Sequence, residues 1–144
     1  MTGKALGELE AFLPPADLAA VHGSDLKWIV NDYDAALKQA ARERRPILID
    51  FTGYTCTNCR WMEANMFTRP DVARELSRFV RVRLYTDGQG EMYRGYQKMQ
   101  RDVYGTVALP YYAAVSADGV PAVGFGGLTR NPDEYLAFLR KGLE

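Results

Sequence analysis

The alternation of apolar and polar residues divides most of this chain into short strands and helices. Pro46-Ile47-Leu48-Ile49-Asp50-Phe51-Thr52 is an apolar, β-branched run opened by proline, which reads as a buried strand. Before it, Leu26–Val30 predicts a first strand, and Asn31 or Asp32 can cap a helix to about Arg44 with Tyr33, Ala36, Leu37 and Ala40 inward. A helix is predicted from the residues after Thr52 to about Phe67, and Pro70 opens a further turn set with Val72, Leu76 and Phe79 facing inward. Phe79–Tyr85 alternates Val80, Val82 and Leu84 with Arg81 and Arg83, the period of a strand with one face exposed. After the break at Thr86-Asp87-Gly88-Gln89-Gly90, residues Glu91–Tyr104 carry Tyr93, Tyr96, Met99, Gln100 and Val103 at helical spacing, a stripe read as core packing. Tyr111–Ser116 and Val120–Phe125 form two strands joined by Ala117-Asp118-Gly119, a hairpin signal. Asn131 caps a last helix from Pro132, with Tyr135, Leu136 and Leu139 inside. The order β-α-β-α-β-α-β-β-α predicts an α/β domain, a central mixed sheet covered by helices on both faces. Met1–Ser24, with Pro14-Pro15 and small residues, reads as a tail or linker holding at most one short helical turn, so the domain spans 25–144.

Composition agrees with one domain. At 144 residues, 47% hydrophobic and 25% charged, the chain can bury a sizeable core without metals or disulfides. Eighteen basic and eighteen acidic side chains cancel, so nothing favours nucleic acid or an anionic membrane over a protein or small-thiol partner. No apolar run reaches the length of a membrane helix, and no apolar segment follows Met1–Gly7 as in a signal peptide. The expectation is a cytosolic protein or a domain excised from a longer one.

The two cysteines, Cys56 and Cys59, change the picture most. They form a C-x-x-C between a buried strand and a helix, a thioredoxin-like redox arrangement. Three other readings compete. Zinc needs four ligands and the chain adds only His22, in the tail. A structural disulfide closing so short a loop removes little unfolded-state entropy, about 2 kcal/mol. Two unrelated buried thiols would not need this placement. The methionines Met92 and Met99 have no histidine beside them, so a copper site finds no support, and no metal or cofactor is expected.

Helical spacing supports the redox reading. At 100° per residue, Cys59 and Glu63 fall at about 300° and 340° relative to Cys56, on one face. Cys56 at the helix N-terminus is favoured as thiolate and becomes the attacking nucleophile, with Cys59 as resolving thiol. Asp50 in its buried strand could take the Cys59 proton. The alternatives are a solvated surface role for Glu63 and a structural accident for Asp50, which must then bear the cost of burial. Arg60 reads as a surface charge and Trp61 as packing.

The strings IDFTGYTCTNCRWME and MFTRPDV, with Leu109-Pro110 before the hairpin, resemble the soluble thioredoxin-like C-terminal domains of the DsbD family of transmembrane thiol:disulfide interchange proteins. The resemblance covers residues 25–143 and implies a thioredoxin fold with an N-terminal extension. It implies catalytic roles for Cys56, Cys59, Asp50 and Glu63, and substrate binding at Tyr54, Leu109 and Pro110. Leu109-Pro110 would be cis, with the Leu109 backbone open to an extended substrate. Thr55 stands where such motifs often have Trp, and Thr57-Asn58 where thioredoxin has Gly-Pro. Residues Leu9–Pro15 look like the linker after a last membrane span. The implied protein is a monomeric periplasmic reductant that takes electrons from a membrane-embedded donor domain and gives them to oxidised protein thiols. The alternatives are a cytosolic thioredoxin-like reductase and a redox-inactive thioredoxin-fold binding or chaperone module.

Overall fold

Five strands form one mixed sheet in the computed structural model, which describes residues 26–144. The expected tail, its Leu9–Pro15 linker and His22 lie outside the described residues. In chain order the elements are β1 (Ile29–Val30), α1 (Tyr33–Glu43), β2 (Ile47–Thr52), α2 (Thr57–Trp61), a π-helical turn (Met62–Met66), α3 (Pro70–Leu76), β3 (Val80–Tyr85), α4 (Glu91–Tyr104), β4 (Tyr111–Val115), β5 (Pro121–Gly126) and α5 (Pro132–Gly142). Across the sheet the order is β1-β3-β2-β4-β5. β1, β3 and β2 run parallel, and β4 and β5 are antiparallel additions.

Strand β2 lies at the centre, and all six of its residues are buried. Its alternation separates two cores. Leu48 points with Tyr112 and Ala114 into a cluster built from Met62, Met66, Phe67, Val72, Leu76, Tyr135 and Leu139, beneath the π turn, α3 and α5. Ile47, Ile49 and Phe51 point the other way, with Val80, Val82 and Leu84, against Ala36 and Ala40 of α1 and the α4 residues Tyr96, Met99 and Tyr104. Helices therefore cover both faces, and the thioredoxin fold expected from the sequence is the fold observed.

Local signals explain most element ends. Asn31 takes a left-handed conformation (φ 54°), and its side-chain oxygen accepts the Tyr85 amide at 2.9 Å, which ends β1 at Val30 as expected, although the strand starts at Ile29 rather than Leu26 and so has two residues instead of five. Asp32 caps α1 by accepting the Ala35 amide at 3.0 Å, and Asn131 caps α5 by accepting the Asp133 amide at 3.0 Å. The helix expected from the cysteines to Phe67 is instead two pieces, since the Phe67 amide bonds back to the Met62 carbonyl, a five-residue step.

Two burial expectations fail. Val103, placed on the inner stripe of α4, is 50% exposed, whereas Gln100 beside it is fully buried and donates to the Ala108 carbonyl at 2.8 Å. The arginine face of β3 is half-buried rather than exposed. Arg81 donates to the carbonyls of Lys27, Leu76 and Phe79, and Arg83 packs over Trp28. Period-two alternation reports two unlike faces, and it does not report whether the polar one meets water.

Leu48→Ala should cost about 2–5 kcal/mol of unfolding free energy, because it opens a void in a fully packed centre. Val103→Ala should stay within about 0.5 kcal/mol, as at an ordinary surface position. Denaturant unfolding of both variants checks the contrast.

Candidate active site

Beyond Thr52 the chain leaves the sheet and turns through Gly53-Tyr54-Thr55 to Cys56. Gly53 is required there, since a Cβ would lie 2.7 Å from Asp87 Oδ2 and 3.0 Å from Leu109 Cδ1. Asp87, just past β3, holds this turn by accepting the amides of Tyr54 at 2.9 Å and Thr55 at 3.4 Å. Arg60 ties it from the other side, donating to Thr52 Oγ1 at 2.8 Å and to the Gly53 carbonyl at 3.1 Å. Leu109 therefore packs beside the turn that presents Cys56. The Leu109-Pro110 bond is cis, and no hydrogen bond engages the Leu109 backbone among the described residues.

Cys56 and Cys59 are joined in a disulfide with Cα atoms 5.2 Å apart. Cys56 is the N-cap of α2, and its sulfur accepts the Cys59 amide at 3.2 Å. That donor favours a thiolate at Cys56 once the bond is reduced. Cys59 is buried and Cys56 is partly open, so only one sulfur of the pair is readily approached from solvent.

Asp50 and Glu63 belong to one charged chain. Asp50 is 1% exposed, with Arg83 opposite it on β3 and Tyr112 opposite it on β4. Its Oδ2 accepts Arg83 Nε at 3.1 Å, while its Oδ1 has no hydrogen-bond partner among the described residues. Glu63, 24% exposed at its side chain, lies 3.1 Å from Arg60 and 3.8 Å from Arg83. The Arg60 contact is close but poorly aligned for a hydrogen bond, so it acts as an ion pair. The 100° helical wheel does not position Glu63, because the π turn begins one residue earlier. Arg60 is also more than a surface charge.

Burial pushes the Asp50 carboxyl up to about 6. Arg83 pulls it down by charge and hydrogen bond, Glu63 pushes it up, and Arg60 pulls it down. Burial likewise holds the Tyr112 and Tyr135 phenols well above the usual tyrosine range, with the Asp50 charge adding to the effect.

Tyr54 is half-exposed, stacked on Tyr85 at 4.0 Å between ring centroids and sharing a 3.1 Å hydroxyl contact with Tyr93. Asp87, Arg83, Tyr85 and Tyr93 were not singled out by sequence reasoning. The signal available for Arg83 was an arginine in an otherwise buried parallel strand. Trp61 packs against the core as expected, with Arg130 over its ring at 4.9 Å.

A thioredoxin-like family model matches residues 28–123. The chain belongs to the thioredoxin-like family. Among solved structures it is similar to a DsbH oxidoreductase (20% identity, TM-score 0.64, covering 99% of this chain and 98% of that one). It is also similar to the reduced C-terminal domain of DsbD from Neisseria meningitidis (19% identity, TM-score 0.65, 79% and 99%). A thioredoxin from Thermus thermophilus aligns at 25% identity and TM-score 0.61, over 81% and 87%. Comparison with curated protein sequences returned no match. The fold and the Cys56–Cys59 pair are those of a thioredoxin-like thiol:disulfide oxidoreductase. Among the described residues no group of three or more His, Cys, Asp or Glu is arranged to hold a metal ion, and no helix is long and apolar enough to cross a membrane.

The Asp50 shift has a stability consequence with a definite sign. The native carboxyl binds its proton more tightly than the unfolded one, so Asp50 makes the protein less stable as pH rises from about 4 through about 6, after which its contribution is constant. Relative to Asp50→Asn, the protein should lose about 2–3 kcal/mol between pH 4 and pH 8. Denaturant unfolding of both proteins across that range measures the difference, and parallel pH profiles would refute the shift.

Proposed function

We propose that the chain is a protein-disulfide reductase, in which Cys56 attacks a substrate disulfide and Cys59 resolves the mixed disulfide. The observation carrying this reading is the Cys56–Cys59 pair at the cap of α2, one sulfur open and the other buried, in a site that contains a buried carboxylate. In the first step the Cys56 thiolate attacks one substrate sulfur, and the other leaves as a thiolate. In the second, Cys59 gives up its proton and attacks Cys56 Sγ. The Cys56–Cys59 bond forms, the mixed disulfide breaks, and the second substrate sulfur leaves as a thiolate that takes a proton from water. Two electrons pass from the protein to the substrate.

The family resemblance of the motif extends the proposal to partners and place. Electrons would come from a membrane-embedded donor domain and go to oxidised proteins outside the cytoplasm. Tyr54 and the open backbone of Leu109 would receive an extended substrate segment in β fashion. The similarity to the Thermus thermophilus thioredoxin supports a second reading, a thioredoxin-like reductase with the same chemistry, for which the cytosol is the alternative place.

The unequal access of the two sulfurs makes Cys59→Ala a trap. It should accumulate mixed disulfides with oxidised proteins from an extracytoplasmic extract, whereas Cys56→Ala should trap almost none. Non-reducing electrophoresis followed by mass spectrometry reads the adducts. Equal trapping would contradict the assigned roles, and none by either variant would favour a redox-inactive binding module. A membrane-embedded adduct would identify the donor, and its absence would favour the cytosolic reading.

Negative charge at Asp50 and Glu63 opposes formation of the Cys56 thiolate. Asp50→Asn combined with Glu63→Gln should therefore lower the pH midpoint of Cys56 alkylation in the reduced protein by about one unit. An unchanged or higher midpoint would remove both carboxylates from the account.

A further inference from the structure

Glutamine is ordinarily a surface residue, yet Gln100 of α4 is fully buried. Its side-chain amide is only half satisfied. Nε2 donates to the Ala108 carbonyl at 2.8 Å, while Oε1 is buried with no hydrogen-bond partner among the described residues. A buried acceptor without a partner lowers stability, so a side chain of the same size with no polar atoms would suit the packing better. Ala108 is an exposed residue, and its carbonyl has water as an alternative once the segment is free to turn. Stability of the fold therefore does not account for the bond.

What the bond does is tie down a segment beside the cysteines. α4 ends at Gly105, left-handed at φ 74°, and the chain doubles back through Thr106-Val107-Ala108 to the cis Leu109-Pro110 step. Within Thr106–Leu109 the other hydrogen bond is internal, from the Ala108 amide to Thr106 Oγ1 at 3.1 Å. Pro110 is held separately, its carbonyl accepting the Gly127 amide at 2.8 Å. Among the described residues, Gln100 makes the only hydrogen bond between Thr106–Leu109 and the rest of the protein. The Leu109 side chain packs on the core beneath α4 and stands so close to Gly53 that a Cβ there would lie 3.0 Å from Leu109 Cδ1. The anchored segment thus abuts the turn that presents Cys56.

We propose that Gln100 is a positioning residue for substrate recognition: from inside α4 it fixes Ala108, holds the Leu109 backbone ready to pair with an extended segment, and so favours disulfides carried on a polypeptide over small disulfides. The proposal rests on the reading above, in which Leu109 receives the substrate in β fashion. Gln100 touches neither the sulfurs nor the substrate. It removes, before binding, backbone freedom that Thr106–Leu109 would otherwise lose when a strand pairs with it. A small disulfide brings no backbone to pair and gains nothing from the anchor.

The test mixes the pre-reduced full chain with an excess of one of two disulfides and follows the first turnover against concentration. One probe is the disulfide dimer of acetyl-Ser-Thr-Cys-Thr-Ser-amide, which carries backbone on both sides of its sulfur. The other is bis-hydroxyethyl disulfide, which carries none. Gln100→Met, close in volume and without a donor, should raise the half-saturating peptide concentration about threefold to tenfold and leave the limiting rate within about twofold. Its rate with bis-hydroxyethyl disulfide should match that of the wild type. Its denaturant midpoint should be no lower, since the orphaned acceptor leaves with the amide. If Gln100→Met does not fold, Gln100→Asn, which keeps the amide and withdraws the donor by one methylene, takes its place with the same expected split. An unmoved half-saturation in the folded variant overturns the proposal. So does an equal loss with both probes, which would make Gln100 a support of the whole site. A wild-type protein that reduces bis-hydroxyethyl disulfide yet never saturates with the peptide also overturns it, while one that reduces neither sinks the disulfide-exchange reading and the proposal with it.

Discussion

The buried Asp50 carboxylate is the constraint on which the rest of the site turns. An ionised carboxylate removed from water costs several kcal/mol unless something compensates it, and the centre of a five-stranded sheet offers few compensations. Arg83 supplies one from the adjacent strand, so the charge can exist only if β2 and β3 pair in this register. Trp28, beside β1, covers the guanidinium in turn. Three strands, remote from one another in sequence, are committed by one acidic residue.

The reacting sulfurs sit where the chain leaves that sheet. Cys56 follows the carboxyl end of β2 and Asp87 follows the carboxyl end of the parallel β3, the usual place for ligand sites in α/β sheets. Parallel pairing is what brings these two loops together. Gly53 lets them approach, Asp87 accepts the amides that the turn exposes, and Arg60 bonds its outer side. The loop is thereby fixed by two side chains from outside it, Asp87 and Arg60, so disulfide exchange can proceed on a scaffold that has little need to rearrange. Electrostatics and mechanics meet at Arg60, which bonds the turn and also pairs with Glu63.

Much of this architecture was legible in local patterns. The apolar run at Ile47–Thr52, the caps at Asp32 and Asn131, and the hairpin turn through Gly119 are short-range effects that depend on a residue and its near neighbours. The helix at Glu91–Tyr104 was placed correctly end to end, and Gln100 of its inner stripe is buried, yet Val103 faces solvent, because the spacing marks a face without marking its edges. The π turn at Met62 had no local signature, and it set Glu63 on a path that ideal helical spacing does not describe.

The chain's own order of residues determined the placement of the C-x-x-C after a buried strand, the acid six residues earlier and the Leu109-Pro110 step, since each is a matter of spacing along a single segment. Only the tertiary structure decided which groups act on that acid. Arg83 lies 33 residues from Asp50 and reads as an exposed strand arginine until β3 is laid beside β2, and Trp28 reads only as part of a first strand until it is found against the guanidinium. Electrostatic energy depends on distance through space and on exclusion of water, and neither quantity exists along the chain before it folds.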